Sequence, residues 1–165
     1  MATTARAKPP TTPTRYEDDL YTWVQEQVAL LRAGRLSEVD AANLAEEISD
    51  VGRSEYSKLQ SAIMVLTMHL LKWDHQPRRR SLSWLATINE QRGRLAEVLE
   101  ENPGLKSRIS SAIESGYRYG RDRAVAETKM KYEVFPESCP YTFEDMLSRP
   151  IEFEPHPRRR RKVSK

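Results

Sequence analysis

An apolar rhythm in the first half of this 165-residue chain constrains it most. Leu44, Ile48, Val51, Leu59, Ile63, Leu66 and Leu70 recur at three- and four-residue steps, which sets them on one face of an α-helix. A helix over 38–74 is near 55 Å long at about 1.5 Å per residue. Such a rod is stable only where other helices cover its apolar face. Gly52 interrupts it and predicts either a bend or the close approach of a neighbour. Gln76-Pro77 ends it, because proline pushes the preceding residue out of the helical region.

Three more helices and a short fifth one follow from the same reading. Thr14 with Glu17 forms a capping-box pattern, and Leu20, Trp23, Val24, Val28 and Leu31 make the stripe of a first helix. Gly34 stands where a left-handed helix end is expected. Ser37, with Asp40 three residues on, opens the long helix. Ser81 or Ser83 opens the third, whose inner stripe is Trp84, Leu85, Ile88, Leu95, Val98 and Leu99. Asn102 and Pro103 are read as the cap and first turn of the fourth. There Gly116, Gly120 and Ala124 repeat every four residues, which predicts tight backbone packing, against a binding groove or a dimer contact as the sharper readings. Thr142 and Asp145 cap a short helix ending near Leu147. The expected fold is all-α, a compact bundle of four principal helices plus a short C-terminal one. Its expected parts are a disordered leader over 1–14, one helical domain over 15–150, and a disordered basic tail over 151–165.

The net charge of +3 conceals a segregation. Residues 15–154 hold 19 basic and 24 acidic side chains, whereas 155–165 hold six basic and no acidic ones. The body is therefore mildly acidic, which argues against a basic nucleic-acid-reading face spread over it. The run Arg158, Arg159, Arg160, Arg161 and Lys162 is a candidate tail for nucleic acid or an acidic partner. No apolar run reaches membrane-spanning length, and the first residues lack the apolar core of a secretory signal. The single cysteine, Cys139, is read as a packed small side chain and fits a reducing, cytoplasmic compartment.

Polar and aromatic side chains crowd one turn, HLLKWDHQPRRRSLSW. Arg78, Arg79 and Arg80 precede a helix start at Ser81 or Ser83, where free N–H groups and the helix dipole attract anions. The bland alternative pairs one arginine with Asp74 and leaves the others in water. Trp73 and Trp84 read as core anchors or cation–π partners of those arginines. His69, with Glu46 and Glu47, is a candidate metal set if the long helix folds back near Gly52. A hydrogen-bonded, partly buried histidine is the commoner outcome for His69. HExxH, the Glu-x-x-His repeat, P-loop, zinc-finger and nucleophile-elbow patterns are all absent.

The stretches YEDDLYTWVQEQVALLRAGRLSEVDAANLAEEISDVGRSE, HLLKWDHQPRRRSLSWLATINEQR and FPESCPYTFEDML, in that order, resemble the bacterial family catalogued as "domain of unknown function 29". Asp40, Glu46, Glu47, His69, Trp73, Pro77, Ser83 and Trp84 match its pattern, and the arginine-rich tail lies outside it. The resemblance implies a small helical protein and brings no activity, cofactor or ligand to transfer. The function expected first is a non-enzymatic interaction or regulatory module for a protein partner, with weak nucleic-acid contact through the tail. The second is a metal- or anion-dependent enzyme or sensor around Glu46, Glu47, His69 and Arg78 to Arg80.

Overall fold

The computed structural model describes residues 13–153. Among them all regular structure is helical. The principal helices are α1 (Leu20–Arg32), α2 (Ala41–His75), α3 (Leu82–Glu101) and α4 (Ile109–Thr128), followed by the short α5 (Phe143–Ser148). Contacts cluster into two compact units, Met1–Gly52 and Arg53–Lys165, where the sequence leads to one domain over 15–150. Helix α2 begins in the first unit and ends in the second.

In the first unit, α1 opens on Asp19, whose carboxylate accepts from the backbone N–H of Thr22 at 3.0 Å and from its hydroxyl at 2.6 Å. Thr14 is not the cap. Its N–H and hydroxyl both donate to Glu26 at 2.9 Å, so the end of the expected leader is tied down. Gly34 closes α1 at φ +70°. Its N–H reaches Leu31 O while that of Arg35 reaches Leu30 O, the paired bonds of a Schellman ending. Ser37 lies in a 3₁₀ turn (Leu36–Glu38), and Asp40 starts α2 instead, accepting from the N–H of Asn43 at 3.2 Å. The buried side chain of Gln27 accepts from the Asp40 N–H at 2.8 Å, docking the start of α2 on α1. Tyr16 packs edge-on against Trp23, ring centroids 5.0 Å apart.

The second unit holds the larger core. Leu59, Ile63, Leu66, Leu70 and Leu71 of α2, Ile88 and Leu95 of α3, Phe135 and Met146 are all essentially inaccessible to solvent. The glycine stripe of α4 does pack tightly. A Cβ on Gly120 would lie 2.3 Å from Thr67 Oγ1 and 2.8 Å from Met64 O, and one on Gly116 2.8 Å from Ile63 Cγ2. These two glycines let α4 lie against the α2 backbone. Asn102 closes α3 rather than opening α4, donating to Val98 O at 3.2 Å. Pro103 starts a 3₁₀ turn (Pro103–Arg108) that leads into α4. Thr142 and Asp145 form the expected reciprocal cap of α5. Arg92 of α3 holds that helix's far end, donating to Met146 O at 2.8 Å and Arg149 O at 2.7 Å. Ile151 and Phe153 pack on the core, and Phe153 meets the Trp73 ring at 6.1 Å. The start of the expected tail is thus part of the fold.

Two expectations for α2 need correction. Its helix runs unbroken through Gly52, and outside that stretch of helix nothing lies within 4 Å of where a Cβ would sit. The apolar stripe is also covered unevenly. Leu59, Ile63, Leu66 and Leu70 are buried, whereas Ile48 and Val51 are each 64% exposed.

Candidate functional site

The turn after α2 uses most of its polar groups to hold itself together. Arg80 folds back over the indole of Trp73, 5.2 Å from the ring centre, and donates from Nε to the Trp73 carbonyl at 2.9 Å. That carbonyl belongs to the last turn of the helix, where a cation is favoured. Asp74 pairs with Arg149, outside the triplet, and accepts from the Tyr141 hydroxyl at 2.8 Å. Ser81 caps α3 by accepting from the Trp84 N–H at 3.3 Å, and its hydroxyl shares a 2.9 Å bond with that of Ser83. Lys72 lies 4.5 Å from the Trp84 ring centre and pairs with Glu127. Trp73 is buried and Trp84 half-buried. Of the five anion-binding candidates, Arg78 and Arg79 remain exposed on a 3₁₀ turn (Pro77–Arg79), while Arg80 and Ser81 serve the turn's own structure.

The metal candidates are separately engaged. Glu47 accepts from the Tyr16 hydroxyl at 2.5 Å within the first unit. His69 belongs to the second unit, with Nδ1 2.9 Å from Val65 O one turn earlier. Burial holds its imidazole below the ordinary pKa, opposed by that carbonyl bond. The fold-back that would bring Glu46 and Glu47 to His69 does not occur, since α2 is continuous. Among the described residues no group of three or more His, Cys, Asp or Glu side chains is placed to hold a metal ion. The tail candidates Arg158, Arg159, Arg160, Arg161 and Lys162 lie outside the described residues.

A cavity of about 550 Å³ opens on α4, lined by Ser111, Tyr117, Arg118, Arg121, Ser138 and Cys139 among others. The sequence reading misses it, because its lining residues follow no spaced motif. Its chemistry is quiet. The Tyr117 hydroxyl donates to Pro136 O at 2.6 Å, and burial pushes its pKa up to about 12. Burial also raises the Cys139 thiol, which keeps it protonated and a poor nucleophile. Arg121 donates from Nη2 to Tyr132 O at 3.0 Å and Phe135 O at 2.8 Å, and stacks on the Tyr132 ring at 4.4 Å.

The first unit differs from the second. Trp23 is its one large apolar side chain that is buried among the described residues. Leu20, Tyr21, Leu31, Leu36, Ile48 and Val51 are all exposed. Full burial of such a side chain supplies roughly 1.5–3 kcal/mol, of which each of these forgoes a part. Scattered single exposures are ordinary, but six within 32 residues, beside one buried, leave this unit short of core, and Ile48 and Val51, three residues apart on α2, share a face that calls for a cover. In the sequence Leu20 and Leu31 belong to the stripe of α1, and 44, 48 and 51 to that of α2, and both periods read as core.

A family model described as "Domain of unknown function DUF29" matches residues 15–151, and the chain belongs to that family. No curated protein and no solved structure matches. No helix among the described residues is long and apolar enough to cross a membrane.

Proposed function

We propose that this DUF29 chain is a non-enzymatic interaction module that binds a protein partner through its first unit. The observation that carries the reading is the imbalance there, one large apolar side chain buried against six exposed. A unit this small, 40 residues over 13–52, rarely closes a sufficient core without association. The second unit has a filled core and largely engaged polar groups. The protonated Cys139 thiol and the carbonyl-bonded Tyr117 hydroxyl support a binding role over a catalytic one.

Photo-cross-linking tests it in the cells that make the protein. A benzophenone side chain replaces Ile48, Val51 or, as a control, the exposed Glu97 of the second unit. A discrete protein adduct at 48 and 51, absent at 97 and lost when Leu44 becomes Asp, is the expected result. Adducts identical at all three positions, or none at 48 and 51, reject the reading.

A further inference from the structure

We infer that the partner presents a cationic amphipathic helix, laid along the exposed face of α2 in the first unit; this rests on the protein-binding role proposed above. The face consists of Ala41, Leu44, Ala45, Ile48, Val51 and Gly52, whose steps of three, four, seven, ten and eleven residues keep them in one stripe. Leu44 is half-buried and the other five are exposed. Its makeup suits a helix as occupant. Ala41, Ala45 and Gly52 are small enough to let a second backbone approach, while Ile48 and Val51 stand up as ridges for the grooves between its side chains. Outside its own helix nothing lies within 4 Å of a Cβ built at Gly52, so no other element already fills that position. An extended peptide joining as an added strand would need an unpaired strand edge, and the described residues contain no strand.

Charge selects the occupant's sign. Residues 13–52 carry nine carboxylates (Glu17, Asp18, Asp19, Glu26, Glu38, Asp40, Glu46, Glu47, Asp50) against three arginines (Arg15, Arg32, Arg35). That is a net of 3 − 9 = −6, and Arg6 and Lys8 bring the whole first unit to −4. Residues 53–153 are close to balance, with 16 basic and 14 acidic side chains. Glu47 follows Leu44 by three residues and precedes Val51 by four, so it borders the stripe. A second copy would set one −4 unit against another, whereas lysines or arginines flanking an apolar helical face meet complementary charge.

Isothermal titration of the full-length chain tests this with three synthetic peptides of about 18 residues. One is a leucine/lysine peptide with leucines at i, i+3, i+4 and i+7. The second has glutamate for every lysine. The third has the first peptide's composition in shuffled order. The amphipathic lysine peptide is expected to bind, with affinity falling about tenfold or more between 0.05 and 0.5 M salt, as screened charge predicts. Ile48→Ser and Val51→Ser, both at exposed positions, should each weaken it about tenfold, a loss of about 1.4 kcal/mol. The shuffled peptide should bind weakly and ignore both substitutions. If the glutamate peptide binds as well as the lysine one, the docking face stands and the cationic partner is overturned. If neither ordered peptide binds, both readings fall. Lysine-peptide binding that Ile48→Ser leaves unchanged reduces the effect to bulk charge and overturns the inference. Sedimentation showing a dimer that Ile48→Ser disperses assigns the face to a second copy and likewise overturns it.

Discussion

Arg149 grips Asp74 with both of its terminal nitrogens, at 2.9 and 3.0 Å, across 75 residues of sequence. The pair ties the residue after α5 to the last turn of α2, and the Tyr141 hydroxyl completes it from the side. Both side chains are about 30% exposed, so solvent screens the attraction in part. Asp74→Asn keeps the shape and removes the charge. We expect it to cost about 1–2 kcal/mol, less at high salt, in urea unfolding monitored by circular dichroism. An unchanged midpoint would show that the pair contributes nothing to the second unit.

Gly120 and Gly93 offer a contrast inside two helices of equal length. Alanine is favoured over glycine in a helix interior by about 1 kcal/mol. At Gly93 the added methyl meets nothing within 4 Å, so Gly93→Ala should stabilise by up to that amount. At Gly120 it would press on Thr67 Oγ1, which is committed to Ile63 O at 2.8 Å, and on the fixed carbonyl of Met64. We expect Gly120→Ala to destabilise by about 1–3 kcal/mol, the usual cost of overpacking. Thr67→Ala should relieve only part of this, because the Met64 carbonyl stays. Opposite signs for the two glycines in denaturant midpoints are the observation that checks it.

What the sequence made legible follows from where the physics is local. The caps at Ser81 and at Thr142 with Asp145, and the left-handed Gly34, each depend on a few neighbouring residues, and the structure contains them all. The four-residue glycine repeat announced close packing because its members share one helix face; the lone Gly52 and Gly93, with no such repeat, meet no neighbouring element. Thr14 misled because Glu17, the near partner, loses to Glu26, which α1 brings round from twelve residues away. Asn102 misled in the same manner, turning back to Val98 and to Glu55 on α2. The apolar period at 44, 48 and 51 was read as core, since spacing reports a face and not what covers it. The arginine triplet looked like a site because sequence shows three charges in a row, and not that Arg80 turns inward onto Trp73.

Arg92 makes a prediction about the latch on α5. Its guanidinium serves two carbonyls at 2.7 and 2.8 Å that end a helix of only six residues. Arg92→Lys keeps the charge but cannot span both acceptors in one plane. Loss of about 1–3 kcal/mol is expected for Arg92→Met, with Arg92→Lys recovering less than half. Hydrogen exchange should rise over 143–149 in both variants while the α2 core amides hold their protection. Uniform loss of protection across the second unit would mean that Arg92 supports the whole core instead of the α5 end.

His69 sets a pH window. Burial lowers its folded pKa below 6.5, so the unfolded chain takes up its proton first as the solution is acidified. Between the unfolded and folded values the unfolded state binds more protons, and stability therefore rises with pH there. The stabilisation is complete above the unfolded value near 6.5 and is lost progressively as pH falls towards the folded one. Lys72 pushes the folded pKa down further and Glu127 pulls it up. Asp19, Asp40, Glu38 and Asp145, all held below their ordinary carboxylate values of 3.8 or 4.5 by hydrogen bonds, lose their share at lower pH, so the two windows separate. His69→Gln can retain the bond to Val65 O without titrating. The urea midpoint of the parent chain should fall from pH 7 to pH 5 by more than that of His69→Gln. Parallel profiles would place the histidine in contact with water.

Trp23 is where the first unit's own stability can be measured. Its indole is 2% exposed, packed under Tyr16, in a unit with no other large buried apolar group among the described residues. Trp23→Ala should cost about 3–5 kcal/mol locally, the range for truncating a buried aromatic. Because so little else holds α1 to the start of α2, that loss should open residues 16–44 without unfolding the core around Leu66 and Ile88. Hydrogen exchange read segment by segment checks this, with fast exchange over α1 and retained protection in α3 and α4. A ligand that covers Ile48 and Val51 binds only the folded hairpin, so it should raise protection over the same segment in the parent chain. Protection that is unchanged by Trp23→Ala would mean that the Gln27–Asp40 and Thr14–Glu26 bonds suffice to hold the hairpin.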